Sequence, residues 1–289
     1  HTLGVDGGYT ETDVVEVARA FTGWTNRPGW DGFFTFDVGL HDTGEKTVLG
    51  NMLPAGRGIE DGLQVLDILA RHPSTARFIS TKLIRRFVSD TPPASLVDSA
   101  TQVFSATDGD LRQVLRHILL SAEFMSSVGQ KFRRPLEYVV AMTRTLSAGL
   151  QIEGIDTMYY LLEPLGHIPY GWQPPNGYPD VAAAWINTNA LLHRWNAALL
   201  LSLGGEGYLP GVALNLDRVV PPAATAGELV DAATNQILGF PMASADRDQL
   251  ITFVSREANP ADPLSESARF DKLPGLVGLV LASPYFQWH

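Results

Sequence analysis

Apolar side chains recur at spacings of three and four along most of this chain, and that period commits it to amphipathic helices. Over residues 12–24, Val14, Val17, Ala18, Phe21 and Trp24 form one stripe, with Thr10 or Thr12 placed to cap it and Asp13 near its positive end. The stretch 58–70 puts Ile59, Leu63, Leu66 and Leu69 on one face. Ser74 caps a helix with Phe78, Ile79, Leu83, Ile84 and Phe87 inside. The same period predicts helices near 94–105, 110–124, 134–149, 156–163, 181–201, 226–236, 244–256 and 273–282. The segment 181–201 is the longest and most apolar, and is expected at the centre of the core. The β signal is confined to 33–36 and 47–49, which read as a hairpin around Asp42-Thr43-Gly44. The expected fold is all-α, mainly helical in a bundle-like or orthogonal arrangement, with one small β-hairpin.

The 289 residues are enough for one large helical domain, with a subdivision left open at the Gly- and Pro-rich stretch 204–225. A net charge of −10 repels phosphate backbones, so no nucleic-acid partner is expected. The densest basic run, Lys82-Leu83-Ile84-Arg85-Arg86, reads as the solvated side of a helix. The absence of cysteine excludes disulfides, thiolate metal sites and cysteine nucleophiles. No stretch approaches the roughly 18 apolar residues of a membrane span, so no transmembrane segment is expected. One internal echo is present: Ile118-Leu119-Leu120-Ser121-Ala122-Glu123-Phe124 and Val280-Leu281-Ala282-Ser283-Pro284-Tyr285-Phe286 both close an apolar helix with a Ser-x-x-Phe corner.

Several constellations bear on chemistry. His41, Asp42, Glu45 and Lys46 crowd the expected turn, where a carboxylate beside an imidazole suits general acid–base work; equally, Asp42 and Gly44 simply make the turn. Glu11 and Asp13 at a helix start are candidate partner carboxylates across a cleft, or mere complements to the helix dipole. Trp172-Gln173-Pro174-Pro175-Asn176-Gly177-Tyr178 is a stiff aromatic loop. Its Trp172 and Tyr178 rings suit sugar faces and Asn176 suits hydroxyls, with Trp24 and Trp30 as further candidates; the same rings also suit packing of the loop. Asn189, His193 and Asn196 share a helical stripe with Trp185 one turn before, reading as a cleft lining or a buried network, and Arg194 reads as a binding or salt-bridging cation. No histidine pair has zinc spacing, and His1 would chelate copper only as a true N-terminus, so neither metal nor cofactor is expected.

Beyond these, His1-Thr2-Leu3-Gly4-Val5, Gly8-Tyr9-Thr10-Glu11-x-Asp13-Val14, Ala18-Arg19-Ala20-Phe21-Thr22-Gly23-Trp24 and His41-Asp42-x-Gly44-x-Lys46-x-x-Leu49-Gly50 occur in order. Arg134-Pro135-Leu136-Glu137, Pro174-Pro175-x-Gly177-Tyr178, Trp185 with Asn189 and Arg194, and Ser283-Pro284-x-Phe286-Gln287 follow. In these the chain resembles the bacterial family known as domain of unknown function 1800. The resemblance implies the C-terminal part of a longer, exported protein. Its partners would be the preceding helical portion, which would cover the Val14, Val17, Phe21 and Trp24 stripe, or a sulfatase-like neighbour. Two functions stay open. One is a glycoside hydrolase whose acid, base or nucleophile come from Asp42, Glu45, Glu11 and Asp13, acting on polysaccharide. The other is a non-catalytic helical binding or assembly module of the cell envelope.

Overall fold

Thr10 starts the first helix with a reciprocal cap: its Oγ1 accepts the Asp13 amide at 3.2 Å, and the Asp13 carboxylate accepts the Thr10 amide at 2.8 Å. This helix, α1 (Glu11–Ala20), stops short of 24, because Gly23 at φ 81° turns the chain into a strand. The computed structural model describes residues 2–26, 32–205, 207–256 and 259–289; His1 and Trp30 lie outside them. The chain divides into two compact units, His1–Ser126 and Ser127–His289. The stretch 204–225 lies inside the second, as turns, a short strand and a 3-10 turn.

In the first unit, β1 (Trp24–Asn26) pairs antiparallel with β2 (Phe34–Phe36), and β3 (Lys46–Val48) with β4 (Asn51–Leu53). The two strands expected as one hairpin therefore exist but are not partners. The connection between them is spent on the 3-10 turn Val38–Leu40 and on burying His41 and Lys46. β3 turns instead at Leu49 and Gly50, whose φ of 49° and 76° match the two positive values of a type I′ turn.

Among the described residues, five further helices complete this unit: α2 (Glu60–Arg71), α3 (Pro73–Phe87), α4 (Ala94–Ala106), α5 (Leu111–Leu119) and α6 (Ala122–Met125). α2 is rotated from its expected phase. It turns Asp61, Gly62 and Val65 inward and leaves Leu63 and Leu66 exposed. Gly62 faces inward because the Trp24 indole lies on it, 2.5 Å from where a Cβ would stand. A small core of Ala20, Val48, Leu53 and Val65 sits beside this layer. A second core, including Ile84, Val97, Ala100, Phe104, Val114 and Ile118, joins α3, α4 and α5. Val14 remains about half exposed and Val17 and Phe21 only partly buried, so the α1 stripe is incompletely covered.

The second unit holds α7 (Pro135–Thr145), α8 (Asp156–Leu162), α9 (Thr188–Leu203), α10 (Ala226–Leu238), α11 (Ser244–Ser255), α12 (Glu266–Ala282) and α13 (Pro284–Gln287). A third antiparallel pair, β5 (Leu150–Ile152) with β6 (Val212–Leu214), is non-local. The molecule is thus mainly helical with small two-stranded sheets, three among the described residues. α9 begins at 188, not 181, because Asn187 caps it by accepting the Ala190 amide at 2.9 Å. It packs closely on α12, where a Cβ on Gly278 would meet Leu199 and Ser202 at 2.8 Å. The ends of the unit pair: Lys131 and His289 exchange backbone bonds of 3.0 and 2.9 Å, and the Arg133 amide donates to Gln287 at 2.8 Å. No helix among the described residues is long and apolar enough to cross a membrane.

Candidate functional site

α1 presents Asp13, Glu16 and Arg19 at helical spacing of three, so they share one edge. That edge zips onto the segment 42–49. Asp13 Oδ1 accepts the Leu49 amide at 2.7 Å and Glu16 Oε2 the Thr47 amide at 3.1 Å. Arg19 Nη1 donates to the Glu45 carbonyl at 3.2 Å, and Arg19 also grips Asp42 with Nε–Oδ2 2.8 Å and Nη2–Oδ1 3.1 Å. The Arg19 hydrogen bonds, helped by the Gly44 amide, hold the Asp42 carboxyl well below the usual carboxylate range. Bonds from Thr10 also lower Asp13, and the hydrogen bond from Arg19 lowers Glu16. The Glu11 and Glu45 residues are exposed.

Behind the zipper lies a buried polar centre. His41 Nδ1 donates to the Thr22 carbonyl at 2.8 Å, which leaves Nε2 facing Asp61 Oδ2 at 3.5 Å. Lys46 Nζ donates to Asp61 Oδ2 at 2.9 Å, to the Gly44 carbonyl at 2.8 Å and to the Asp42 carbonyl. The Lys46 side chain is 0% exposed and that of Asp61 1%. Arg57 Nε approaches Asp61 Oδ1 at 3.1 Å. Each conspicuous residue of His41-Asp42-x-Gly44-x-Lys46 is thereby engaged in holding the turn. Trp24 is packed too, edge-on to Phe21 at 4.9 Å and to Phe34 at 5.1 Å.

The remaining candidates are in the second unit. His167, Trp185, Tyr178 and Trp172 form a ladder of rings, with centroids 5.1 Å apart for His167–Trp185, 4.3 Å for His167–Tyr178 and 5.0 Å for Trp172–Tyr178. Their polar tips turn to the loop itself. Tyr178 Oη donates to the Ile168 carbonyl, Trp185 Nε1 to the Pro179 carbonyl and Trp172 Nε1 to Asn176 Oδ1, each at 2.9 Å. His167 Nδ1 accepts the Leu136 amide at the start of α7. Outside the ladder stands Tyr170, fully exposed at φ 62°, a conformation that bulky residues rarely adopt. Trp172 and Asn176 are also exposed.

A family model described as a protein of unknown function, DUF1800, matches residues 1–288. The chain belongs to the DUF1800 family. No curated protein and no solved structure matches it. In this DUF1800 chain Asn189 and Asn196 are exposed and His193 half-buried, so these three do not form a buried network. Arg194 is fully buried. Its guanidinium lies 4.2 Å from the Phe132 ring centroid and 5.1 Å from that of Tyr138, and Nη2 donates to the Arg133 carbonyl at 2.8 Å. Burial pushes it down to about 10. The sequence reading missed Asp61, Arg19 and Tyr170. Asp61 carries no local mark in the sequence; its role follows only from the burial of Lys46 on β3, where a carboxylate must meet it. Among the described residues no three His, Asp or Glu side chains gather as a metal-holding group.

Proposed function

We propose that this DUF1800 chain is a non-catalytic binding module that contacts polysaccharide through the loop 167–180, in the exported setting its family resemblance implies. The observation that carries this reading is the ring ladder. It fixes the loop before any ligand arrives, so the exposed Tyr170 and Trp172 rings are offered with little ordering cost left. Aromatic faces stack on the C–H faces of sugar rings, and the exposed Asn176 amide, whose oxygen already holds Trp172, keeps its NH2 for hydroxyls.

The hydrolase reading draws less support. A glycosidase needs one carboxylic acid raised to stay protonated near neutrality. Asp13, Glu16 and Asp42 are instead all held low, and Asp42 would have to leave Arg19 to act. Calorimetric titration against a panel of bacterial and plant polysaccharides tests the proposal. Binding is expected for the intact chain, with Trp172→Ala and Tyr170→Ala each weakening it by about tenfold. Affinity unchanged in both variants sinks the assignment of this loop. Release of new reducing ends, abolished by Asp42→Asn, returns the hydrolase reading to first place.

A further inference from the structure

We propose that Lys46 and Asp61 are the two halves of an intramolecular isopeptide bond, formed spontaneously once the first unit folds. The geometry assigns each neighbour a part. A lysine ammonium has three hydrogens. Two of them are held by the Asp42 and Gly44 carbonyls, and the third points at Asp61 Oδ2, 2.9 Å away. When that third proton passes to Oδ2, Nζ is left with a lone pair beside the Asp61 carboxyl group. Holding the two groups in contact makes their encounter intramolecular.

The carboxyl oxygens are also sorted. Oδ1 lies 3.1 Å from Arg57 Nε, which stabilises the negative charge that gathers there in the tetrahedral intermediate. Oδ2 lies 3.5 Å from His41 Nε2, while His41 Nδ1 donates to the Thr22 carbonyl. In the neutral form of the ring, Nε2 is the atom that would relay a proton from the attacking nitrogen to Oδ2. The Nζ–Cγ bond forms, the Cγ–Oδ2 bond breaks, and Oδ2 departs as water with two of the three ammonium hydrogens. The third stays on the amide nitrogen, bonded to one of the two carbonyls. No oxidant or cofactor enters, and net charge is unchanged.

Burial favours the neutral product. Two charges with almost no exposed surface are exchanged for an uncharged amide, which removes the cost of keeping both ions out of water. Ala20, Val48, Leu53 and Val65 close the core alongside, and Phe36 lies edge-on to His41 at 5.3 Å, so water to reverse the reaction is scarce.

The test is the intact mass of the denatured 289-residue chain, followed by fragmentation of its proteolytic peptides. The chain is expected about 18 Da lighter than its sequence, with one branched peptide joining Lys46 to Asp61. Lys46→Arg and Asp61→Ala are each expected to restore the full mass, and His41→Gln to leave a larger share of the chain at full mass. The wild-type measurement requires no variant to fold. Full sequence mass in the wild-type chain, or a loss of water mapped to any other pair, overturns the proposal.

Discussion

Arg19 shows how one side chain fixes a whole neighbourhood. It binds Glu16 on its own helix at 2.9 Å, Asp42 with two nitrogens, and the Glu45 carbonyl. The carboxylates it joins, with Asp13 beside them, lie below their ordinary values of 3.8 for Asp and 4.5 for Glu. A depressed folded value means that the unfolded chain takes up protons first. Their stabilisation is therefore complete above the unfolded values and is lost as pH falls through the folded ones. The melting temperature should hold across neutral pH and fall steadily below about pH 4. Asp42→Asn should lower it at neutral pH and make the acid limb shallower, which thermal melts from about pH 7 to pH 2 would read directly. An acid limb identical to wild type would remove the Arg19–Asp42 pair from the account.

Elements differ in how plainly their residues announce them. Thr10 and Asp13 mark the start of α1 because a capping box is a local pattern, carried by side chains three apart. The β3 turn was hidden because Leu49-Gly50 lacks the Asn or Asp that usually signals a type I′ turn; the Asp13 carboxylate on the Leu49 amide supports it from another element. α2 was read in the wrong phase because two exposed leucines outvoted a buried Asp61, and only the position of Lys46 inverts that vote. In the loop 167–180 the aromatic residues were visible, but their partners are the Ile168 and Pro179 carbonyls, and backbone groups leave no mark in a sequence. The Ser-x-x-Phe echo does have a shared basis: Ser121 and Ser283 each donate to the carbonyl three residues back and each opens a single-turn helix. The β5–β6 pair is similarly dependent on one position. A Cβ on Gly149 would collide with the Asn215 carbonyl, whose own amide donates to Gly149 at 2.9 Å. Gly149→Ala should cost about 2 kcal/mol in urea unfolding, and a loss well under 0.5 kcal/mol would show that this junction yields freely.

At the scale of the whole molecule, each unit has its own core: Ile84, Val97, Phe104 and Ile118 belong to the first, and Tyr138, Leu201, Leu229, Leu276 and Leu281 to the second. A segment with its own core is able to fold alone. Ser127–His289 expressed by itself should melt in one cooperative transition, with its calorimetric and van't Hoff enthalpies agreeing. A broad, non-cooperative melt would mean that it borrows order from the first unit. The backbone ladder joining residues 131–133 to 287–289, with Phe132 edge-on to Trp288 at 5.2 Å, gives this unit an unusual freedom. Its first and last segments are already neighbours, so the unit is topologically a ring with one cut. The cut can be moved: a short linker from His289 to Gln130, with new ends opened at the exposed Gly177, re-orders the sequence while every described helix keeps its place.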